Sequence, residues 1–366
     1  MKKIRIWGVL ILSLAFLLGV CGPASAADLV KVPTCWMPEH ETFLMWYAIE
    51  KGWDKEEGLD LGGENQFLYF DSGMAQMEAL PARQWVLGAT GGVPQVMGTL
   101  RYGAYVIGQG NNESWCNSVF VRPDSPIMGV KGWNKDYPEV YGSPELIKGK
   151  TILVTTVSSV HYAMSSWLKV FGLKDSDVVI KQMDQSSIMA AFEKGVGDIA
   201  AIWCPYSYKA VDQGWKIAGN VDTCGAALTI TLIGDKTYCD QNPEIVAKFL
   251  RIYLRSVNML KAEGSSPEMV KEYQRFFKEW AGMEYTLEQS KQDIDYHPVW
   301  NLEEQLALFD NSKGPSQSEV WQKKIAEFFA AQGKYTEDDL KKLEEIKYGC
   351  TDKFLKMVQT PIPAYK

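Results

Sequence analysis

The chain is expected to be an α/β protein of two domains on mainly parallel sheets. Two observations predict this. From residue 29 to about residue 218, short apolar runs alternate with helical patterns, as strand and helix layers require. The length of 366 residues also exceeds what one hydrophobic core organises comfortably.

The elements follow in order. MKKIR is basic, residues 6–20 are apolar, and Ala24-Ser25-Ala26 offers a small-residue cleavage site. Residues 1–26 therefore read as a signal peptide. The apolar run is short for a spanning helix, which needs about 20 residues. L-G-V-C, ending at Cys21, keeps a lipid anchor as the alternative. Residues 29–32 read as the first strand, ended by Pro33, with TCWMPEH as a loop. A helix over 43–49 stops near Gly52. Residues 67–70 form a strand, and a helix follows the Asp71-Ser72-Gly73 turn. The strand at 84–89 ends at Thr90-Gly91-Gly92, a helix starts near Pro94, and 105–108 is again a strand.

A second block places strands at 151–154, 178–181, 198–203 and 215–218, separated by helices at 160–170, 188–192 and 205–211. After Cys224, a strand at 227–233 precedes helices at 242–261, 267–280, 299–309, 320–331 and 338–347.

Composition excludes several classes. A net charge of -7 gives no basic face for nucleic acid. Cys35, Cys116, Cys204, Cys224, Cys239 and Cys350 follow the leader. In an exported chain they imply one or two structural disulfides beside buried thiols. No G-x-S-x-G, H-E-x-x-H or G-x-x-x-x-G-K-[ST] occurs, and three histidines leave little for a metal. No catalysis, metal or cofactor is expected.

LMWYAIEKGWDKEEGLDL, SPELIKGKTILVT, FGLKDSDVVIKQMDQSSIMAAFEKGVGDIAAIWCP and NPEIVAKFLRIYLRSVNML stand in this order. Together they resemble the periplasmic solute-binding proteins of nitrate/sulfonate/taurine ABC importers, over residues 30–260. MEALPARQWVLGATG departs from that family's A-L-x-x-G-x-x-D pattern, and the region beyond Ser265 matches poorly. The resemblance implies a type II two-lobed binding-protein fold with a cleft between lobes. Lobe one would span 28–118 and 225–310, lobe two 119–224, and 311–366 a C-terminal helical extension packed on lobe one. It also implies a monomer that hands a small organic ligand to an inner-membrane ABC permease, without nucleic acid.

Ligands in open α/β sheets lie beyond the carboxyl ends of strands. That rule selects the loops 34–40, 71–74, 90–93, 155–162 and 203–208, and with them Trp36, Glu39, His40, Asp71, Ser72, Thr90 and Gly91. Asn117, near the lobe crossing, joins the set, with Thr156, Ser158, Ser159, His161, Asp184, Trp203 and Tyr206 from lobe two. Ser158 and Ser159 precede a helix whose free amides suit a carboxylate or sulfonate, although either serine could simply cap the helix. His297 reads as structural. Aromatic residues are plentiful, at 13 Trp, 17 Tyr and 14 Phe, and would hold an organic group. The leading expectation is a small organic anion. A cationic or zwitterionic amine held by rings and by Asp71, Glu113, Asp184 or Asp222 is the alternative. An exported sensing domain is a second one.

Overall fold

The computed structural model describes residues 29–366. The leader and the Cys21 alternative lie outside the described residues. The strands are β1 (Val30–Lys31), β2 (Thr34–Trp36), β3 (Leu59–Asp60), β4 (Phe67–Tyr69), β5 (Leu87–Gly91), β6 (Ala104–Asn112), β7 (Asn117–Val121), β8 (Thr151–Val154), β9 (Val179–Gln182), β10 (Ile199–Trp203), β11 (Lys216–Asn220) and β12 (Thr229–Asp235). They form two sheets of five, ordered β4-β2-β5-β12-β6 and β11-β7-β10-β8-β9, and a small β1-β3 pair.

Both sheets are mixed rather than mainly parallel. In the first, β2 runs parallel to β4 and β5, while β12 is antiparallel to β5 and β6. In the second, β8 runs parallel to β9 and β10, while β7 is antiparallel to β10 and β11. The crossings explain the pattern. β6 leads into β7 of the second sheet, and β11 leads back into β12 of the first. A strand arriving from the other sheet starts at the gap and runs away from it. Its neighbours end there, so it must lie antiparallel to them.

Residues 34–36, expected as a loop, form a strand inside the first sheet, and all three are buried. Proline lacks a donor, but the Pro33 carbonyl still accepts from the Val86 amide at 2.9 Å. The backbone therefore stays extended through it.

The helices His40–Glu50, Pro243–Glu263 and Pro267–Glu279 cover the first sheet, with Trp36, Phe43, Phe249, Tyr273 and Phe276 in the core. Val119, Ile152, Met164, Trp167 and Ile199 fill the second. The helix Leu287–Tyr296 was not expected. Its signal is the Thr286-x-x-Gln289 capping box, in which both reciprocal bonds form.

The C-terminal helix Gln317–Ala331 does not pack on the first sheet's unit alone. Its Ile325 and Phe329 share a core with Val93 and Val96 of the helix Gly92–Tyr102, and with Tyr162 and Ala163 of the helix Ser159–Val170. The Phe328 ring meets Tyr162 edge-on, with centroids 5.1 Å apart. The expected disulfides are also absent among the described residues. All six cysteines are buried free thiols, and they act as small apolar side chains in the cores.

Candidate functional site

The carboxyl ends of β2, β5, β8 and β10 face the gap between the sheets, and two connected cavities occupy it. The inner one, of about 130 Å³, is lined by Glu39, Ser72, Gly91 and Glu113 from the first side and by Asn117, Thr156, Ser158, Ser159 and Trp203 from the second. The outer one, of about 460 Å³, adds Tyr69, Asp71, Asp184 and Tyr206 and shares Glu39, Ser72 and Trp203.

The inner cavity is closed by a bond between the two sides. Ser159 Oγ donates to Glu113 Oε1 at 2.8 Å. Asn117 Nδ2 donates to the Glu113 carbonyl at 3.0 Å and to Oε2 at 3.1 Å. Gly91 permits this approach, since a Cβ there would lie 2.7 Å from Ser159 Oγ. Asn117 Oδ1 and Glu39 Oε2 remain buried without a partner. Burial pushes the Glu39 carboxyl well up, and the neighbouring Glu41 and Glu113 add to it. Burial also raises Glu113, against the bonds from Ser159 and Asn117.

The serine loop is held from behind. Val157 sits at φ 55, a conformation a β-branched residue keeps only when its surroundings enforce it. Its N–H donates to His161 Nδ1 at 3.1 Å, so His161 Nε2 carries the proton and donates to Asp175 Oδ2 at 2.7 Å. The Thr156 amide donates to Gln182 Oε1. Ser158 both lines the cavity and caps the helix, accepting from the His161 amide at 3.4 Å. The Ser159 and Val160 amides are first-turn donors with no intrahelical acceptor.

Four expected residues do not line the cleft. Trp36 is fully buried, stacks on Phe67 and Phe249, and donates from Nε1 to Thr34 Oγ1. Its strand points it into the core. Thr90 is buried beneath Gly73. His161 is turned into the loop's support. His40 lies in a separate small cavity behind Glu39, stacked on His297 with ring centroids 4.8 Å apart. The sequence reading missed Tyr69 and Gln182, the last residues of β4 and β9. Their signal was available, because both strands end at the gap.

No lysine or arginine is among the described residues lining either cavity. Arg122 donates to the Gly197 and Phe192 carbonyls, Arg101 pairs with Asp339, and Arg83 lies by Asp235. The charge of the outer cavity is that of Asp71 and Asp184. Burial first, then these two carboxylates, raises the Tyr206 phenol.

The family described as NMT1/THI5 like matches residues 134–265. A protein of Brachyspira hyodysenteriae named as an ABC-transporter periplasmic binding protein is 28% identical over 338 residues, covering 92% of this chain and 93% of that one. The chain belongs to the solute-binding proteins of the nitrate/sulfonate/taurine ABC-importer family. The taurine-binding periplasmic protein of Escherichia coli is 30% identical over 111 residues, 30% of this chain and 34% of that one. Among solved structures, the nitrate-binding protein NrtA of Synechocystis superposes with a TM-score of 0.67 at 11% identity, covering 92% and 90% of the two chains. The sulphonate-binding protein SsuA of E. coli gives 0.63 at 15%, covering 84% and 88%. At such identity the superpositions establish the two-domain type II fold. This solute-binding protein is extracytoplasmic, is not an enzyme, and captures a small solute for an ABC importer.

Proposed function

We propose that the solute carries a protonated or N–H-bearing nitrogen, and that Glu39, Glu113 and Asn117 receive it. One observation carries this reading. The inner cavity holds an unpartnered acceptor, Asn117 Oδ1, beside the unpartnered Glu39 Oε2 and the Glu113 carboxyl, no cationic side chain lines it, and an arriving cation would favour the ionised, accepting form of these raised carboxyls. A buried acceptor left unpaired costs about 1–3 kcal/mol, and a ligand donor recovers that. Trp203, Tyr69 and Tyr206 present rings to the outer cavity, where an organic body or a cation would pack. Ser72, Gly91, Thr156, Ser158, Ser159, Asp71 and Asp184 complete the contact set.

A second reading rests on the Ser159 and Val160 amides, which suit an anionic end. Relatives named for sulfonates and taurine agree with it. An aminosulfonate or amino acid would satisfy both ends.

The protein acts as a monomer that closes over its solute. Lobe one comprises residues 28–118 and 225–310, lobe two 119–224, and 311–366 the extension. Tighter binding to the closed form shifts the population, and a permease reads the closed surface. Calorimetric titration with an alkylamine, an alkylsulfonate and the matching aminosulfonate tests the ligand assignment. The nitrogen-bearing solutes should bind and the plain sulfonate should not. Equal affinity for both sulfonates would remove the nitrogen from the reading.

A further inference from the structure

Cys116 and Cys204 meet where the crossing from the first sheet enters the second. Asn117 of β7 and Trp203 of β10 are antiparallel partners. Cys116 stands one residue before Asn117, and Cys204 one residue after Trp203, so the cysteines form the next pair of the same ladder. The Cys204 amide donates to the Cys116 carbonyl at 3.1 Å, the geometry of a hydrogen-bonded pair. Cα atoms in such a pair stand about 5.5 Å apart, inside the range of roughly 4.4–6.8 Å that a disulfide spans. Directly opposed side chains also share one face of the sheet, and both cysteines line the small cavity behind Glu39.

The surroundings favour a bridge over two thiols. Both are thiols in the structure, with Cys116 3% and Cys204 8% exposed. Burial pushes the Cys116 thiol well up, and the neighbouring Cys204 adds to this. The polar groups beside Cys116 Sγ, the Tyr208 hydroxyl and His297 Nδ1, are each 3.9 Å away. Both are already committed to Asp293, Tyr208 to Oδ1 at 2.6 Å and His297 to the carbonyl at 2.7 Å. A disulfide has no proton to place among them. Ser207 Oγ, 3.0 Å from Cys204 Sγ, can donate to sulfur in either state. Among the described residues no other two cysteines are cross-strand partners. Cys35 lies opposite Leu68 and Gly88, Cys350 opposite Val106, and Cys224 and Cys239 outside the strands. The protein works outside the cytoplasm, where disulfides form and persist.

We propose that Cys116 and Cys204 are joined by a disulfide in the exported protein. In the folding chain, before burial, one cysteine attacks as thiolate an incoming protein or small-molecule disulfide of that compartment. The other then displaces the carrier from the mixed disulfide. One S–S bond forms and one breaks, two thiol protons leave, and the carrier takes up the two electrons and departs reduced. The bridge ties the crossing segment to the end of β10, beside Asn117 and Trp203 of the cavity wall.

Peptide mapping decides. The wild-type mature protein, exported and then denatured in excess N-ethylmaleimide without reductant, is digested and read by mass spectrometry. The expected result is one linked peptide pair holding Cys116 and Cys204, with Cys35, Cys224, Cys239 and Cys350 alkylated. Alkylated Cys116 and Cys204, or a bridge from either to another cysteine, overturns the proposal. This map needs no variant, so misfolding of a mutant cannot obscure it. Thermal melts with and without a phosphine reductant give a second reading. The reductant should lower the wild-type Tm by several degrees and leave that of the Cys116→Ser, Cys204→Ser double variant unchanged. No shift in the wild type, or an equal shift in the double variant, overturns the bridge. Neither readout uses a solute, so the bridge and the nitrogen assignment fail independently.

Discussion

Ser159 on the second side of the cleft donates its hydroxyl to the Glu113 carboxyl on the first, at 2.8 Å, with both side chains buried. The bond exists only when the two sides are together, so it contributes to closure rather than to either unit's own fold. Ser159→Ala should leave Glu113 Oε1 without its donor, at a cost of about 1–3 kcal/mol. Solute affinity should fall roughly tenfold, with the unfolding midpoint of the solute-free protein little changed. Calorimetry beside denaturant unfolding checks this, and an unchanged affinity would remove the bond from closure.

Trp203 borders the inner and outer cavities, and its amide is held by Gln185 Oε1 at 3.1 Å. Trp203→Ala keeps that backbone bond. It should weaken solutes with an organic body by about tenfold or more, and their smallest head-group analogues far less. A titration series of rising chain length gives the comparison. Uniform loss across the series would assign the ring to the scaffold.

His161 touches no cavity, yet it holds the serine loop through Val157 and Asp175. His161→Ala should lower stability by about 2–4 kcal/mol, from lost packing and two unpaired polar groups, and should speed solute release. Denaturant midpoints and stopped-flow dissociation rates check both. Loss of stability with an unaltered release rate would make the residue a fold determinant only.

Asp184 caps the helix Gln185–Glu193, accepting from the Ser187 amide at 2.8 Å and from the Ser186 and Ser187 hydroxyls. These bonds, the Ser187 amide foremost, hold its carboxyl below the usual range. A depressed folded value means the contribution is present above the unfolded value, near 3.9, and is lost as the pH falls through the folded one. Asp184→Ala should therefore cost about 1 kcal/mol at neutral pH, and the gap should narrow below about pH 4. Paired thermal melts from pH 7 down to about pH 3 give the answer. A gap independent of pH would mean that the ionised carboxylate is not the cap.

Phe329 is 1% exposed in the core shared by the C-terminal helix and both sides of the cleft. Phe329→Ala should cost about 3–5 kcal/mol, seen as a lower denaturant midpoint. A loss below about 1 kcal/mol would show that the helix contributes little to the folded state.

Much of this site was legible because strand ends are legible. Ser72, Gly91, Thr156, Ser158, Ser159 and Trp203 were found by locating where apolar runs stop, and the chain places them at the gap. Trp36 and Thr90 failed under the same rule, since each sits at a strand end with its side chain in the core. One residue of register decides which face a side chain takes, and β2 and β5, of three and five residues, give few alternations to fix it. Asp293 was out of reach for another reason. Its helix, Leu287–Tyr296, carries charged and amide residues on most of its surface, so no apolar stripe announces it. The disulfide expectation rested on compartment alone, and compartment says nothing about which sulfurs approach.

The core around Phe329 joins the C-terminal helix to Val93 and Val96 on one side and to Tyr162 and Ala163 on the other. Apolar contacts lose much of their attraction within an ångström of separation, so the two sides cannot simply draw apart along this seam. An opening that keeps this core packed is a rotation about the seam rather than a separation across it. A helix distant in sequence from both sides thereby limits the ways in which the cleft can open.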